Sequence, residues 1–140
     1  MIHGGWRGAT RRAMRVLGNH FVLGETIAEA LARAARGEAR LQRYSFDMLG
    51  EGARAALDAR RYFDAYANAI EAIGAAAGDD ALPNRPGISV KLSALHPRYE
   101  AISRERVLKE LTPRLLDLAR AAKAHDLAFT VDAEEADRLE

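Results

Sequence analysis

The sequence predicts an α/β fold in which N-terminal helices precede a strand–helix–strand–helix–strand series on a parallel sheet. Two observations support this prediction. Apolar residues recur at helical spacing in four stretches, and after residue 43 three short alternating runs separate the helices. Strands that alternate with helices in this way form right-handed βαβ units. We therefore expect a helical segment over residues 1–42 and a βαβαβ segment over residues 43–140.

Composition indicates a globular chain and excludes several kinds of site. The 140 residues are 49% hydrophobic and 29% charged, as expected of a chain that buries a core. The formal net charge of +1 gives no electrostatic case for nucleic acid as a partner. The absence of cysteine excludes disulfides, thiolate zinc sites and cysteine nucleophiles. No apolar run is long enough to cross a bilayer.

The N-terminal region is basic, with no acidic residue before Glu25. Its composition resembles that of an organellar transit peptide. A basic amphipathic helix capped by Thr10 is the preferred interpretation, and we expect a cytoplasmic protein. A second helix is predicted to start at Thr26, where Glu29 completes a capping-box pattern, and to end at Gly37.

Two longer helices are predicted between the strands. The first covers residues 53–77, and its predicted buried face consists of Tyr62, Phe63, Tyr66, Ile70 and Ile73. The second begins near Ser103, and its predicted apolar face consists of Val107, Leu108, Leu111, Leu115, Leu118 and Ala122. Pro113 within it predicts a kink or a new helical start. The tail EEADRLE is compatible with a further helix.

The three predicted strands, residues 43–49, 88–95 and 127–133, share one phase of polarity. The apolar face is predicted to hold Tyr44, Phe46, Met48, Ile88, Val90, Leu92, Phe129 and Val131. The opposite face carries small hydroxyl side chains and one ionisable residue per strand: Asp47, Lys91 and Asp132. Open parallel sheets are usually apolar on both faces. A barrel explains the pattern better, because active sites lie at the carboxyl ends of barrel strands.

We expect Asp47, Lys91 and Asp132 to converge at that end of the sheet. A lysine between two carboxylates is stabilised in its charged form and can hold an anionic group of a substrate. The alternative is an ion-pair network without chemistry, which perturbs pKa values in the same way.

Other ionisable residues carry weaker signals. His96 before Pro97 is compatible with a catalytic base or a ligand, but a histidine that caps a loop is the preferred interpretation. The remaining histidines lack metal-ligand spacing. The acidic cluster of Asp132, Glu134, Glu135 and Asp137 is compatible with a hard cation, but its later members are interpreted as a solvated helix start, so no metal is expected.

Three segments, RYSFDMLGEGA, GISVKLSALHPRYE and TVDAEEADRLE, together resemble the first three strand regions of the proline dehydrogenase domain of the bacterial proline utilisation A family. FVLGETIAEAL, residues 21–31, resembles the helical segment that leads into that domain. The resemblance covers nearly the whole chain. It implies a flavin-dependent (βα)8 barrel of the TIM type that oxidises L-proline to 1-pyrroline-5-carboxylate. It also implies that FAD takes the hydride and passes electrons to a membrane quinone.

The resemblance further implies roles for five residues. Lys91 helps to bind the substrate carboxylate together with arginines from the last helix of the barrel. Asp132 lies at the substrate and the flavin, and Ala133 accompanies it in cofactor binding. Glu51 belongs to a gate and pairs with one of the late arginines, and Asp47 supports that gate.

A complete barrel of this type needs about 250 residues, and this sequence contains three of its strands. We therefore expect a fragment that alone neither retains FAD nor oxidises proline. Its open sheet edges favour self-association, and peripheral membrane association is implied for the full-length family. One alternative is a non-catalytic helical and βαβ module that binds a partner, such as a complementary half-barrel. A more remote one is a barrel enzyme that uses Lys91 as a Schiff-base amine.

Overall fold

The computed structural model describes residues 22–48, 52–79 and 81–134. It divides the chain into two compact units, Met1–Gln42 and Arg43–Glu140. Among the described helices, none combines the length and the hydropathy needed to span a bilayer. The predicted helix at Thr10 and the predicted helical tail lie outside the described residues.

The described part of the first unit contains helix α1, Ile27–Ala34, and a 3₁₀ helix, Gly37–Leu41. The predicted N-cap is confirmed: Thr26 Oγ1 accepts a hydrogen bond from the Glu29 amide at 3.2 Å. The Glu29 carboxylate bonds to the amide of Glu25, one residue before the cap. The predicted end at Gly37 is wrong. The helix ends three residues earlier, because Arg36 is extended, and Gly37, at a φ of +55°, opens the 3₁₀ helix.

The second unit contains a three-stranded parallel sheet in the order β1-β2-β3, which confirms the predicted βαβαβ series. The strands are β1, Ser45–Asp47, β2, Gly87–Val90, and β3, Ala128–Val131. Phe46 pairs with Ile88, and Ile88 pairs with Phe129. Each strand is shorter than predicted. The parallel register brings the carboxyl ends of all three strands to one edge of the sheet.

Helices α2, Ala56–Ala76, and α4, Arg104–Ala124, connect the strands and cover the sheet. The side chains that they bury are Ala59, Tyr66, Ala69, Ile70 and Ile73 from α2, and Val107, Leu111, Leu118 and Ala122 from α4. Leu108, predicted to be buried, is 56% exposed. Ser103 occupies the N-cap of α4 as predicted, although its side chain makes no capping bond.

Helix α4 runs through Pro113 without interruption, so the predicted new helical start is wrong. Proline removes the amide that would bond to the carbonyl of Lys109, four residues earlier. Both residues are exposed, so water can satisfy that carbonyl.

At the C-terminal end of α4, the ring of His125 lies against Gly74 of α2, where an added Cβ atom would come within 2.4 Å of the ring. Glycine therefore permits the close approach of the two helices.

Only the first part of the second predicted strand is extended. β2 ends at Val90, and Leu92–Leu95 forms a single helical turn, α3, whose N-cap is Lys91. The turn forms because it buries Ala94 and Leu95 against α2 and α4, which an extended chain would not do. Leu92 and Ser93 consequently leave the sheet.

The predicted alternation of polar and apolar faces is correct for β1 but not for the other strands. Only Phe46 is buried in β1. All four residues of β2 are buried, including Ser89, because β2 lies between the other two strands and the Ser89 hydroxyl is bonded to Asp132. Val131 of β3 is 40% exposed, although it was predicted to face the helices.

Candidate active site at the carboxyl edge of the sheet

The three ionisable residues of the strand pattern meet at the carboxyl edge. Lys91 Nζ lies 2.6 Å from Asp47 Oδ1 and 3.0 Å from Asp132 Oδ2. Asp47 is the last residue of β1, whereas Lys91 and Asp132 are the first residues after β2 and β3. The backbone fixes this arrangement, since the Asp132 amide donates to the Val90 carbonyl at 3.0 Å and extends the ladder beyond β3.

Asp47, Lys91 and Asp132 are here called the ion trio. Two further residues support it, and neither was predicted from the sequence to be part of a site. The Ser89 hydroxyl donates to Asp132 Oδ1, so that both oxygens of this carboxylate are engaged. The Tyr66 hydroxyl of α2 accepts a hydrogen bond from the backbone amide of Lys91 at 3.2 Å. Ser89 lies on the polar face that the strand pattern predicts. Tyr66 recurs with the apolar residues of a helix face, so its spacing predicts a core residue and does not indicate a site.

The electrostatics of the trio favour its charged state. Burial acts to lower the pKa of Lys91, but the hydrogen bonds and negative charges of Asp47 and Asp132 outweigh it, so the pKa is raised. Burial likewise acts to raise the pKa of Asp132, but the bonds from Ser89 and Lys91 outweigh it, so the pKa is lowered. These two pKa shifts favour a protonated Lys91 and an ionised Asp132 at neutral pH. Counted by formal charge, with one lysine and two aspartates, the trio carries one excess negative charge.

The Tyr66 phenol stays protonated beside these charges. Its burial raises its pKa above the ordinary value, against the opposing effect of its bond with the Lys91 backbone. The neutral hydroxyl is thus a fixed acceptor for the amide that follows the end of β2. Tyr66 is 1% exposed, so this contact lies beneath the site rather than at its surface.

The remaining predicted site residues fall in three places. Ala133 follows Asp132 directly and is exposed. Glu51 lies outside the described residues. His96 is buried apart from the trio: its Nδ1 accepts from the Arg98 amide at 3.1 Å, and its Nε2 lies 3.1 Å from a Glu110 carboxylate oxygen. These bonds assign the proton to Nε2, and His96 caps a loop as preferred from the sequence.

The carboxylate of Glu110 also bonds to Arg106, and its pKa is lowered first by that guanidinium and then by His96. This cluster holds the loop between α3 and α4. Within the described ranges, no group of histidine and carboxylate side chains is arranged to hold a metal ion.

Comparison with known proteins places this geometry in a family. The family model described as proline dehydrogenase matches residues 30–140. Over 128 residues the chain is 54% identical to the bifunctional protein PutA of Klebsiella aerogenes and 53% identical to that of Escherichia coli K12. Each match covers 91% of this chain and 10% of the relative, so the chain spans about a tenth of the length of these curated relatives.

Solved structures show the same similarity. The crystal structure of a variant of Bradyrhizobium japonicum proline utilization A is 75% identical, with a TM-score of 0.77, over 95% of this chain and 13% of that one. The proline utilization A of Bdellovibrio bacteriovorus, at 22% identity and a TM-score of 0.81 over 92% of this chain and 15% of that one, shares the fold. The three parallel strands and their helices are thus part of a fold of the TIM-barrel type. The chain belongs to the proline dehydrogenase family.

Proposed function

We propose that this chain contributes the first strands and part of the substrate site of an FAD-dependent proline dehydrogenase, which converts L-proline to 1-pyrroline-5-carboxylate on the route from proline to glutamate. The observation that carries the proposal is Lys91, held between Asp47 and Asp132 at the carboxyl edge of three parallel strands. Active sites of barrel enzymes lie at this edge, and the family match supplies the reaction.

Lys91 is the group proposed to bind the substrate carboxylate. Its ammonium has three N–H donors, and its contacts with Asp47 and Asp132 occupy two of them. One donor is left for a carboxylate oxygen of proline. The side chain is 15% exposed, so it is partly desolvated, which strengthens a charge-assisted hydrogen bond.

The excess negative charge of the trio limits what this chain can do alone. An anionic carboxylate approaching Lys91 also approaches Asp47 and Asp132, and their repulsion offsets much of the attraction. Additional cations are required, and the family resemblance implies that they are arginines of the last barrel helix. We therefore propose that the 140-residue chain by itself does not turn over proline.

Asp132 and Ala133 are the residues proposed to face FAD. The chemistry at this position fits a flavin. Each Asp132 oxygen accepts one hydrogen bond within the chain and keeps a lone pair for a donor on a ligand, and the side chain is 29% exposed. Ala133 is small and exposed and allows close approach. When bound, FAD would accept the hydride from proline, and a quinone would reoxidise it at the membrane.

Glu51 is proposed as the gate over the substrate, supported by Asp47. This role comes from the family resemblance. Asp47 is 47% exposed and pairs with Lys91 at 2.6 Å, so it lies where a gate segment would meet the substrate site.

The Schiff-base alternative is disfavoured by the charge of Lys91. A Schiff base needs a neutral amine, and two carboxylates raise the pKa of this amine. Borohydride trapping of a carbonyl substrate on Lys91 would revive the alternative.

A chimera tests the proposal. This segment would replace the matching segment of Bradyrhizobium japonicum proline utilization A, to which it is 75% identical. We expect the chimera to bind FAD and oxidise proline, and Lys91→Met to lower kcat/KM about 100-fold, as loss of a charge-assisted contact implies. Lys109→Met on the exposed face of α4 is the matched control. If Lys91→Met stays within threefold of that control, the proposed role of Lys91 is wrong.

The 140-residue chain with added FAD is the second arm. We expect no proline-dependent dye reduction. Clear turnover would overturn the proposal that this chain is inactive alone.

A further inference from the structure

A second set of contacts joins the same three strand ends two to six residues further along the chain. Ser93 follows Lys91 by two residues, and Glu134 follows Asp132 by two. Glu134 Oε2 accepts from the Ser93 amide at 2.8 Å, and Oε1 accepts from the Ser93 hydroxyl. On the other side, Ser93 Oγ accepts from the Gly52 amide at 3.2 Å, and the Ser93 carbonyl accepts from the Ala53 amide at 2.9 Å. Ser93 thus links the segments that follow β1 and β3.

These contacts stabilise a turn that has little stability of its own. Helix α3 is a single turn, and its first amides have no partner within the helix. Glu134 supplies one partner as a charged acceptor, which makes a stronger bond than a neutral one. Gly52 adopts a φ of +70°, a conformation that glycine reaches without strain, and donates its amide to Ser93 from there.

This linkage is formed by Gly52, Ala53, Ser93 and Glu134 and is here called the Ser93 clamp. Ala53 is 5% exposed, and Ser93 and Glu134 are half-buried, so these three members are partly shielded from water, whereas Gly52 is exposed. No contact of the clamp involves the Lys91 ammonium. The clamp therefore affects Lys91 only through the backbone that follows it.

We propose that Ser93 and Glu134 are positioning residues for the substrate site: they fix the turn after Lys91 and so hold its ammonium between Asp47 and Asp132, in the geometry that binds the carboxylate of proline. The inference rests on the proposed function for its substrate. It extends that function by two residues that act on the substrate site through the backbone that follows Lys91.

The first test needs no catalysis and uses the 140-residue chain. We expect Ser93→Ala to accelerate amide hydrogen exchange at Gly52 about tenfold, the factor for one hydrogen bond of ordinary net strength, because it removes the acceptor of that amide. Exchange at Ala53 should accelerate by a smaller factor, because its acceptor is the Ser93 backbone carbonyl, which alanine retains. The chain has three lysines, Lys91, Lys109 and Lys123. Competitive acetylation at pH 8 should show Lys91 protected relative to Lys109, and Ser93→Ala should reduce that protection at least threefold.

Three further variants complete the design. Ser103→Ala is the matched control, because Ser103 occupies the N-cap of α4 without a side-chain capping bond. Ser93→Thr retains the hydroxyl and should restore both readouts. Glu134→Gln preserves the shape of the acceptor but removes its charge. It should change both readouts in the same direction by a smaller factor, and it keeps the test decisive if Ser93→Ala does not fold.

The second test uses the chimeric holoenzyme. We expect Ser93→Ala to raise the KM for proline about tenfold, while kcat changes less than threefold and FAD content stays unchanged, with recovery in Ser93→Thr. If exchange at Gly52 and Ala53 accelerates but lysine labelling and KM match those of Ser103→Ala, Ser93 is only a helix cap and the inference is wrong. It is equally wrong if no readout moves.

The two proposals fail separately. If Lys91→Met leaves proline oxidation intact, the substrate role of Lys91 fails, and labelling of Lys91 in the isolated chain still decides whether the Ser93 clamp positions it.

Discussion

Replacing Lys91 with methionine should destabilise the chain well beyond the loss of an ordinary surface lysine. Methionine preserves most of the apolar stem and removes the charge together with the N–H donors to Asp47 and Asp132. The two aspartates that Lys91 pairs would then face each other without a cation. Lys91 Nζ is within 3.0 Å of both, and its side chain is only 15% exposed.

The expected loss follows from the exposure of each partner. Asp47 is 47% exposed, and the median for such a surface pair is about 0–1 kcal/mol. Asp132 is 29% exposed and accepts its bond from a charged ammonium, so this contact is of the charge-assisted kind, about 1.5–3 kcal/mol. Together they predict a decrease of about 1.5–4 kcal/mol in the free energy of unfolding.

Urea unfolding followed by circular dichroism measures this decrease. Lys109→Met, on the exposed face of α4, should change the free energy of unfolding by less than about 0.5 kcal/mol. In the Lys91→Met background, Asp132→Asn should cost about 1.5 kcal/mol less than it does alone, because the pair has already been broken. Equal unfolding free energies for Lys91→Met and Lys109→Met would refute the reasoning that the trio is held by charge.

Three further predictions use the same unfolding assay. Tyr66→Phe leaves the Lys91 amide without its acceptor and should cost about 1–3 kcal/mol, whereas Tyr62→Phe, half-buried on the same helix, should cost less; equal costs would contradict the contact at 3.2 Å. Asp132 has a lowered pKa in the folded state, so its contribution is fully present above the ordinary value of 3.8 and is lost as pH falls below it. The stability difference between the wild type and Asp132→Asn should therefore shrink as pH falls from 3.8 toward the lower folded-state pKa; a constant difference would argue against an ionised, paired carboxylate. Leu118, 1% exposed, should cost about 2–5 kcal/mol when replaced by alanine, and a cost below 1 kcal/mol would mean that α4 does not cover the sheet as described.

The ion trio was the part of the site that the sequence predicted, through the polarity pattern of the strands. One ionisable residue at the same phase of each predicted strand brought Asp47, Lys91 and Asp132 into consideration before any geometry was known. Parallel strands in register place equivalent positions side by side, so a periodic signal along the chain becomes a cluster in space. The structure places all three within one set of ion pairs.

The strand pattern did not predict the residues that support the trio, which are Tyr66, Ser93 and Glu134. Tyr66 recurs with Ile70 and Ile73 at helical spacing, and only the packing of α2 beneath β2 turns its hydroxyl toward Lys91. Ser93 was assigned to a strand, because ISVKLSAL alternates as a strand does. The burial of Leu95 between two helices overrides that local preference.

The sequence alone determined the order of the strands and helices, their parallel arrangement and the ion trio, because hydrophobic periodicity and strand phase are properties of neighbouring residues. Its long motifs also indicated the family. Tertiary structure decided where each element ends, which side of β3 is exposed, and the hydrogen bonds by which Ser93 joins Gly52 to Glu134. The hydrogen bonds of Ser93 join residues about 40 positions apart, and such contacts form only when the chain is packed. A local sequence pattern therefore cannot predict them.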